Sequence, residues 1–291
     1  MNTSRLFQKK TVFSFEVFPP KKTSSLGTVY RALEQMRGLS PDFISVTYGA
    51  AGRGGGRTVE IASDVKNRYG IESVAHLPCV GLTKNDVLEA LASLKRNGIE
   101  NILALRGDVN PDSVPKTDFP HASDLVAFIK KTGSFNVIGA CYPEGHPESG
   151  GLDRDVQNLK IKVDAGADQL ISQLFFDNGH FYSFLDRAGS AGIHVPIQAG
   201  IMPVTNKKQI ERMVSLSGAT LPKKFMKIMD RYGDNPVAMR DAGIAYAIDQ
   251  IVDLIAQGVD GIHLYTMNDA YVAAKITEAV TNLLKANRIS A

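Results

Sequence analysis

The sequence lacks most of the features that would announce a function on their own. Its 291 residues hold two cysteines, Cys79 and Cys141, which make no disulfide framework, zinc spacing or CxxC pair. That usage suits a reducing compartment. No lysine or arginine run exceeds two residues and the net charge is +3, too small to argue for a nucleic acid partner. Met1 to Lys10 contains no apolar signal core, and no apolar run approaches the length of a membrane span. The expectation is a cytoplasmic chain with no membrane contact. G-x-G-x-x-G, Walker, HxH and HExxH patterns are all missing, so neither a dinucleotide fold nor a metal site is expected. No repeat, low-complexity tract or linker rich in Pro, Gly and Ser divides the chain.

What the chain does have is apolar mass in a regular rhythm. Hydrophobic residues make up 44% and charged ones 22%, enough to bury a large core. Eight strand-like runs recur, at residues 12–18, 43–48, 73–77, 101–105, 136–142, 169–176, 196–202 and 261–266. Helical patterns separate them, at 83–97, 152–165, 179–191, 205–216 and 236–257, with a closing helix over 268–286. Residues 221–234 read as an extra helix inserted before the eighth unit. Asn97-Gly98-Ile99 and Ala165-Gly166-Ala167 are the helix stops that punctuate βα repeats. Eight such units predict an α/β fold: a (β/α)8 TIM barrel with extra helices near the C-terminus. Residues 1–291 are expected to form a single catalytic domain without an appended regulatory one, since barrels of this length are common.

The first strand carries the oddity. In Val12-Phe13-Ser14-Phe15-Glu16-Val17-Phe18, period 2 sends Phe13, Phe15 and Val17 one way and Ser14 and Glu16 the other. A carboxylate buried among apolar neighbours tends to hold a proton, and a neutral acid at neutral pH is a proton donor. An edge position in water, or a buried Arg partner, would account for Glu16 equally well. In a barrel the chemistry gathers at the C-terminal ends of the strands. Polar groups fall there: Thr47 and Tyr48, His76, Arg106 to Asp108, Tyr142 to His146, Gln173, Gln198, and His263 with Tyr265. Each has a plain structural reading as well. His76 could be a satisfied core histidine, His146 a turn residue, and Arg106 and Asp108 a clasp between themselves. The glycines at 49, 52 and 54–56 could cradle a phosphate or simply form a loop. Residue chemistry alone reaches a barrel enzyme with a large polar site.

A set of segments adds to this. They are Phe13–Lys21, Ser45–Ala50, Ala75–Leu77, Asn101–Asp108, Tyr142–Glu148, Leu159–Asp168, Gln173–Asp177 and Gly200–Pro203. In order, and in step with the βα units, they resemble the methylenetetrahydrofolate reductase family. The resemblance implies a barrel that binds FAD at its mouth. Flavin contacts carried over would come from Tyr48, Ala50, His76, Arg106, Gly107 and Asp108. Others would come from Ala122, Tyr142, His146, Asp155, Asn158 and Lys162. Arg106 and Lys162 suit the pyrophosphate. Thr47 would lie by the nicotinamide donor, and Gln173 and Gln209 by the folate, with Asp108 serving flavin and folate both.

The implied reaction is a ping-pong reduction of 5,10-methylenetetrahydrofolate to 5-methyltetrahydrofolate by NADH or NADPH, feeding methionine synthesis and one-carbon metabolism. Glu16 would be the general acid that opens the folate ring, and a homo-oligomer of barrels is implied. Four positions depart from the family pattern: Asp269 stands where an Arg is usual, Met213 where an aromatic residue often stacks, and Ile161 near the phosphates in place of Arg. Pro78 likewise replaces a Thr. Two other classes stay in view. One is a flavin- or folate-binding subunit that needs a partner protein for electrons. The other is a Schiff-base barrel using Lys160 or Lys162.

Overall fold

The computed structural model describes residues 1–20, 25–48, 55–108 and 118–287. Eight parallel strands close in chain order: β1 Val12–Val17, β2 Phe43–Val46, β3 Glu72–Pro78, β4 Asn101–Leu105, β5 Asn136–Cys141, β6 Gln169–Ser172, β7 Ile197–Ile201 and β8 Gly261–Tyr265. The seam pairs Ser14 with His263 and Glu16 with Tyr265. Around them run α1 Gly27–Arg37, α2 Gly55–Asn67, α3 Lys84–Arg96, α4 Ala122–Thr132, α5 Leu152–Asp164, α6 Asn178–Ser190, α7 Lys207–Ser217, α8 Lys223–Tyr232, α9 Pro236–Ala256 and α10 Ala270–Ala286. The predicted TIM barrel and its extra helix, α8, are both present. Among the described residues no helix is long and apolar enough to cross a membrane.

Alternation along the strands sorts the side chains. Phe13, Phe15, Val17, Ile44, Val46, Ala75 and Leu77 point outward into the large core under the helices. Val12, Phe43, Val74, Leu103, Ile138 and Ile171 point inward and pack as one layer across the barrel. Above that layer the interior turns polar, with Ser14, Ser45, His76, Gln198 and His263 all buried. A 3₁₀ turn, Thr3–Gln8, closes the N-terminal end, where Thr3 donates to Gln169 and accepts from Asn136.

The same end has a recurring fastener. The residue just before β2, β6 and β8 is an aspartate whose carboxylate accepts the amide at the start of the preceding strand. Asp42 takes Phe13 N–H at 2.9 Å, Asp168 takes Val137 N–H at 2.7 Å and Asp260 takes Ile197 N–H at 2.9 Å. A carboxylate suits the task because strand ends leave amides that must find an acceptor.

Two boundaries differ from the sequence reading for identifiable reasons. The run 169–176 forms a strand only to Ser172, because its last two aromatics are drawn apart: Phe175 enters the large core and Phe176 a second, smaller one. The last helix begins at Ala270, not 268. Met267 and Asn268 adopt φ of 52° and 58°, and the Asp269 carboxylate caps the helix by accepting from Tyr271 and Val272 N–H. Three helices, α1, α2 and α4, fall where no helix was placed from sequence.

Candidate active site

Glu16 is the next-to-last residue of β1, and its parity turns it into the barrel, where it retains 19% side-chain exposure. Three inward groups from other strands surround its Oε2: Ser45 Oγ at 3.5 Å, His76 Nε2 at 3.4 Å and His263 Nε2 at 3.6 Å. His263 is itself held from below. Its Nδ1 shares a 2.7 Å hydrogen bond with Ser14 Oγ, which accepts from Gln198 Nε2 at 2.9 Å. His76 Nε2 is buried without a hydrogen-bond partner, its 3.4 Å approach to Glu16 being out of alignment.

This surrounding overturns one expectation. Burial by itself raises the Glu16 carboxyl, as anticipated. His263, His76 and the Ser45 hydroxyl outweigh it, and the pKa ends below the ordinary carboxylate value. In the protein as it stands Glu16 is therefore a carboxylate at neutral pH, not a stored acid. Burial dominates for His76 and, only partly offset by Glu16, pushes it down to about 4, so its imidazole is neutral. The carboxylate is held by His263, His76 and the Ser45 hydroxyl. The sequence could not show this, since the partners come from strands far along the chain.

The other candidate residues form a second group beside the first. Tyr142 follows β5 and meets the His146 ring edge-on at 4.8 Å. Burial, aided by Asp155, pushes the Tyr142 phenol up to about 12. Asp155, Asn158 and Lys162 share one face of α5 by their spacing. Burial raises Asp155 and lowers Lys162, whose ammonium donates to Ala140 O at 2.6 Å. Among the described residues Lys162 is in no salt bridge. Both Lys160 and Lys162 lie on α5 and neither ends a strand, which disfavours the Schiff-base reading.

Arg106 does not clasp Asp108. Its guanidinium takes the Glu148 carboxylate two-pronged, at 2.5 and 3.1 Å, a partner that sequence reasoning missed. Asp108 is exposed, and its charge is felt by Arg106 and Tyr142. Gly107 between them has φ of 85°, and a Cβ there would stand 2.8 Å from Pro78 and 2.9 Å from Val80. Only glycine fits. Thr47 follows β2 and accepts Thr58 Oγ1–H through its carbonyl, and Tyr48 packs against the large core. Ala122 opens α4. Ala50 and residues 49–54 of the glycine-rich stretch lie outside the described residues.

Gln173 folds back on itself, its side-chain oxygen accepting Leu174 N–H at 2.9 Å. Gln209, in the first turn of α7, lines a cavity of about 190 Å³ with Thr205, Tyr265, Thr266 and Asp269. Gly200 makes room for Tyr265, whose hydroxyl donates to Ser172 O at 2.6 Å. A larger cavity, about 620 Å³, opens beside α9 and α10 between Phe7, Lys10 and Asp260. It holds none of the candidate residues. Its size does not outweigh the chemistry gathered at the strands' C-terminal ends.

A family model described as methylenetetrahydrofolate reductase matches residues 2–281. The chain belongs to the methylenetetrahydrofolate reductase family. It is 38% identical to the 5,10-methylenetetrahydrofolate reductase of Escherichia coli (strain K12), over 90% of this chain and 88% of that one. Against methylenetetrahydrofolate reductase (NADH) 1 of Arabidopsis thaliana it is 36% identical, over 90% of this chain and 47% of the plant protein. Among solved structures it resembles an uncharacterised protein from Clostridium thermocellum that binds two copies of 5-methyl-5,6,7,8-tetrahydrofolic acid. That likeness has a TM-score of 0.65 at 13% identity, covers 97% and 99% of the two chains, and speaks for the shared fold.

Proposed function

We propose that the chain reduces 5,10-methylenetetrahydrofolate to 5-methyltetrahydrofolate, taking reducing equivalents from NADH or NADPH through FAD held at the barrel mouth. The observation that carries this reading is the Glu16 carboxylate set among His76, His263 and Ser45 inside the mouth, in a chain of this family. When bound, FAD would supply a hydride relay between the nicotinamide and the folate.

The residues present suit that cofactor. Lys162 is a half-buried ammonium with a carbonyl and, among the described residues, no carboxylate salt bridge, which is the character of a group suited to an anion. Arg106 stands at the end of β4 beside Gly107, whose missing Cβ lets the chain turn closely past Pro78. Together they would balance the pyrophosphate, with Asp155, Asn158, Ala122, Tyr142 and His146 around it and Tyr48, Ala50, His76 and Thr47 nearer the reacting end. Arg106 must release Glu148 to take part, an exchange of one anion for another.

Glu16 is the residue for proton delivery to the folate nitrogen that leaves as the ring opens. Its free-state carboxylate has to load a proton first. Ligands bound over the mouth would reduce its remaining contact with water, and desolvation moves a carboxyl pKa upward. Glu16 would then take its proton from water as substrate arrives and hold it as the acid. Asp108, exposed at the mouth, places a negative charge where flavin and folate would meet, while Gln173 and Gln209 offer amides to the folate.

The test is the purified protein in two anaerobic half-reactions. Bound FAD, its bleaching by NADH or NADPH, and recovery of colour on adding methylenetetrahydrofolate are expected. A protein that takes up no flavin would sink the reading. One reduced only by a partner protein would be a subunit of a larger reductase.

A further inference from the structure

The α7–α8 hairpin is built unlike the rest of the molecule. It leaves the barrel after β7 and leads on to α9, and residues that follow β6, β7 and β8 pack with it. Beneath it lies a core of its own, separate from the barrel's: Leu174, Phe176, Val204, Ile210 and Phe225 with three methionines. Five of the chain's eight methionines pack in or against this core: Met202, Met213, Met229, Met239 and Met267. Methionine side chains are unbranched and repack at low cost, so such a layer tolerates shifts of what rests on it. At the near end of α7 stands Gln209, lining the cavity with Tyr265 and Thr266. At the far end, roughly 15 Å along the helix, is the turn that joins α7 to α8.

That turn is fastened to the loop carrying Tyr142 and His146. The Glu144 carboxylate, 13% exposed, accepts Thr220 Oγ1–H at 2.7 Å and Thr220 N–H at 3.1 and 3.2 Å. His180 from the first turn of α6 joins them, its Nε2 3.3 Å from Thr220 Oγ1 and 3.7 Å from Glu144 Oε2. Three separate segments meet at one carboxylate. The same loop touches the turn once more, where Pro147 lies against Gly218, the left-handed cap of α7.

We propose that Glu144 is the latch that seats the α7–α8 hairpin on the barrel mouth, and so a positioning residue for the ligand that Gln209 meets. The proposal rests on the folate reaction above and adds to it a residue that touches neither substrate nor cofactor. With the latch open, the tip of a hairpin resting on soft packing is released, and the amide of Gln209 loses its fixed place over the cavity. The flavin side, held by α5 and β4, keeps its geometry.

The experiment uses the full flavin-loaded chain with Glu144→Ala, Glu144→Gln and Thr220→Val. Glu144→Ala is expected to raise KM for methylenetetrahydrofolate by about 10-fold, the effect of leaving a hydrogen-bonded group unpaired, while flavin reduction by nicotinamide stays within about twofold. Glu144→Gln keeps an oxygen for Thr220 N–H and should recover most of the loss. Adding Thr220→Val to Glu144→Ala should cost nothing further, because the two share one interaction. An unchanged KM, or a flavin half-reaction that falls in step with the folate one, overturns the latch. If the chain turns over no folate at all, the proposed function has failed and amide hydrogen exchange decides the latch separately. Faster exchange across 206–222 in Glu144→Ala, restored in Glu144→Gln, supports it, and identical exchange in all variants overturns it.

Discussion

Glu16 of β1 and His76 of β3 face each other 3.4 Å apart across the strand that separates them, a carboxylate against a neutral imidazole. The state of Glu16 is not what burial alone would dictate, and the state of His76 is not what its carboxylate partner alone would dictate. Burial argues for a protonated acid, and a neighbouring carboxylate argues for a protonated histidine. The pair settles with the charge on Glu16 because His263 and Ser45 also lean on it.

Replacing Glu16 by Gln removes the transferable proton and keeps the shape. Nicotinamide oxidation coupled to flavin reduction should proceed at a near-normal rate. The folate half-reaction should drop by at least about 100-fold, as for a lost general acid. Stopped-flow measurement of each half-reaction separates the two. An equal fall in both would make Glu16 structural.

His76 links stability to pH. Its folded pKa of about 4 lies below the ordinary 6.5, so between those values the unfolded chain binds the proton and the folded one does not. Its contribution is complete above pH 6.5 and is lost as pH falls toward 4. The gap corresponds to about 3 kcal/mol at ~1.4 kcal/mol per pH unit. Urea midpoints between pH 7.5 and 4 should fall less steeply in His76→Gln than in the parent chain. Parallel curves would show that His76 is not the source.

Gly107→Ala meets two obstacles at once, a left-handed φ and a Cβ pressed onto Pro78 and Val80. A destabilisation of roughly 1–3 kcal/mol is expected. Flavin uptake should weaken as well, because the strain falls between Arg106 and Asp108. Denaturant titration with flavin fluorescence reads both. A variant as stable as the parent would mean that the turn relaxes elsewhere.

Glu148 occupies the guanidinium that the pyrophosphate needs. Removing its charge in Glu148→Gln frees Arg106 and should tighten FAD binding by up to about fivefold, the range of an exposed ion pair. The gain should shrink as salt is raised, since exposed charges are screened. Weaker binding in the variant would show that Glu148 orients Arg106 and does not compete for it.

Much of the architecture was legible because it is periodic. β4 begins and ends where its apolar run does, at Asn101 and Leu105, and the inward parity of Glu16 follows from Phe13 and Phe15 pointing out. The stop of α3 at Gly98 and the extra helix α8 were readable for the same reason. What escaped depends on neighbours distant in sequence. The ionisation of Glu16 is set by His76 and His263, the partner of Arg106 is Glu148, and Glu144 finds its use only against Thr220. The length of β6 escaped for another reason: a continuous apolar run does not say that its last two aromatics belong to different cores.

The aspartates before β2, β6 and β8 also say where this chain could be cut. Each ties a strand to its successor, binding β1 to β2, β5 to β6 and β7 to β8. The seams without such a tie, between β2 and β3, β3 and β4, β4 and β5, β6 and β7, and β8 and β1, are the natural joints for splitting the protein into complementing fragments or for opening it in a circular permutant. New ends placed there leave every aspartate with its amide, and they leave the fastened floor of the barrel whole beneath the mouth.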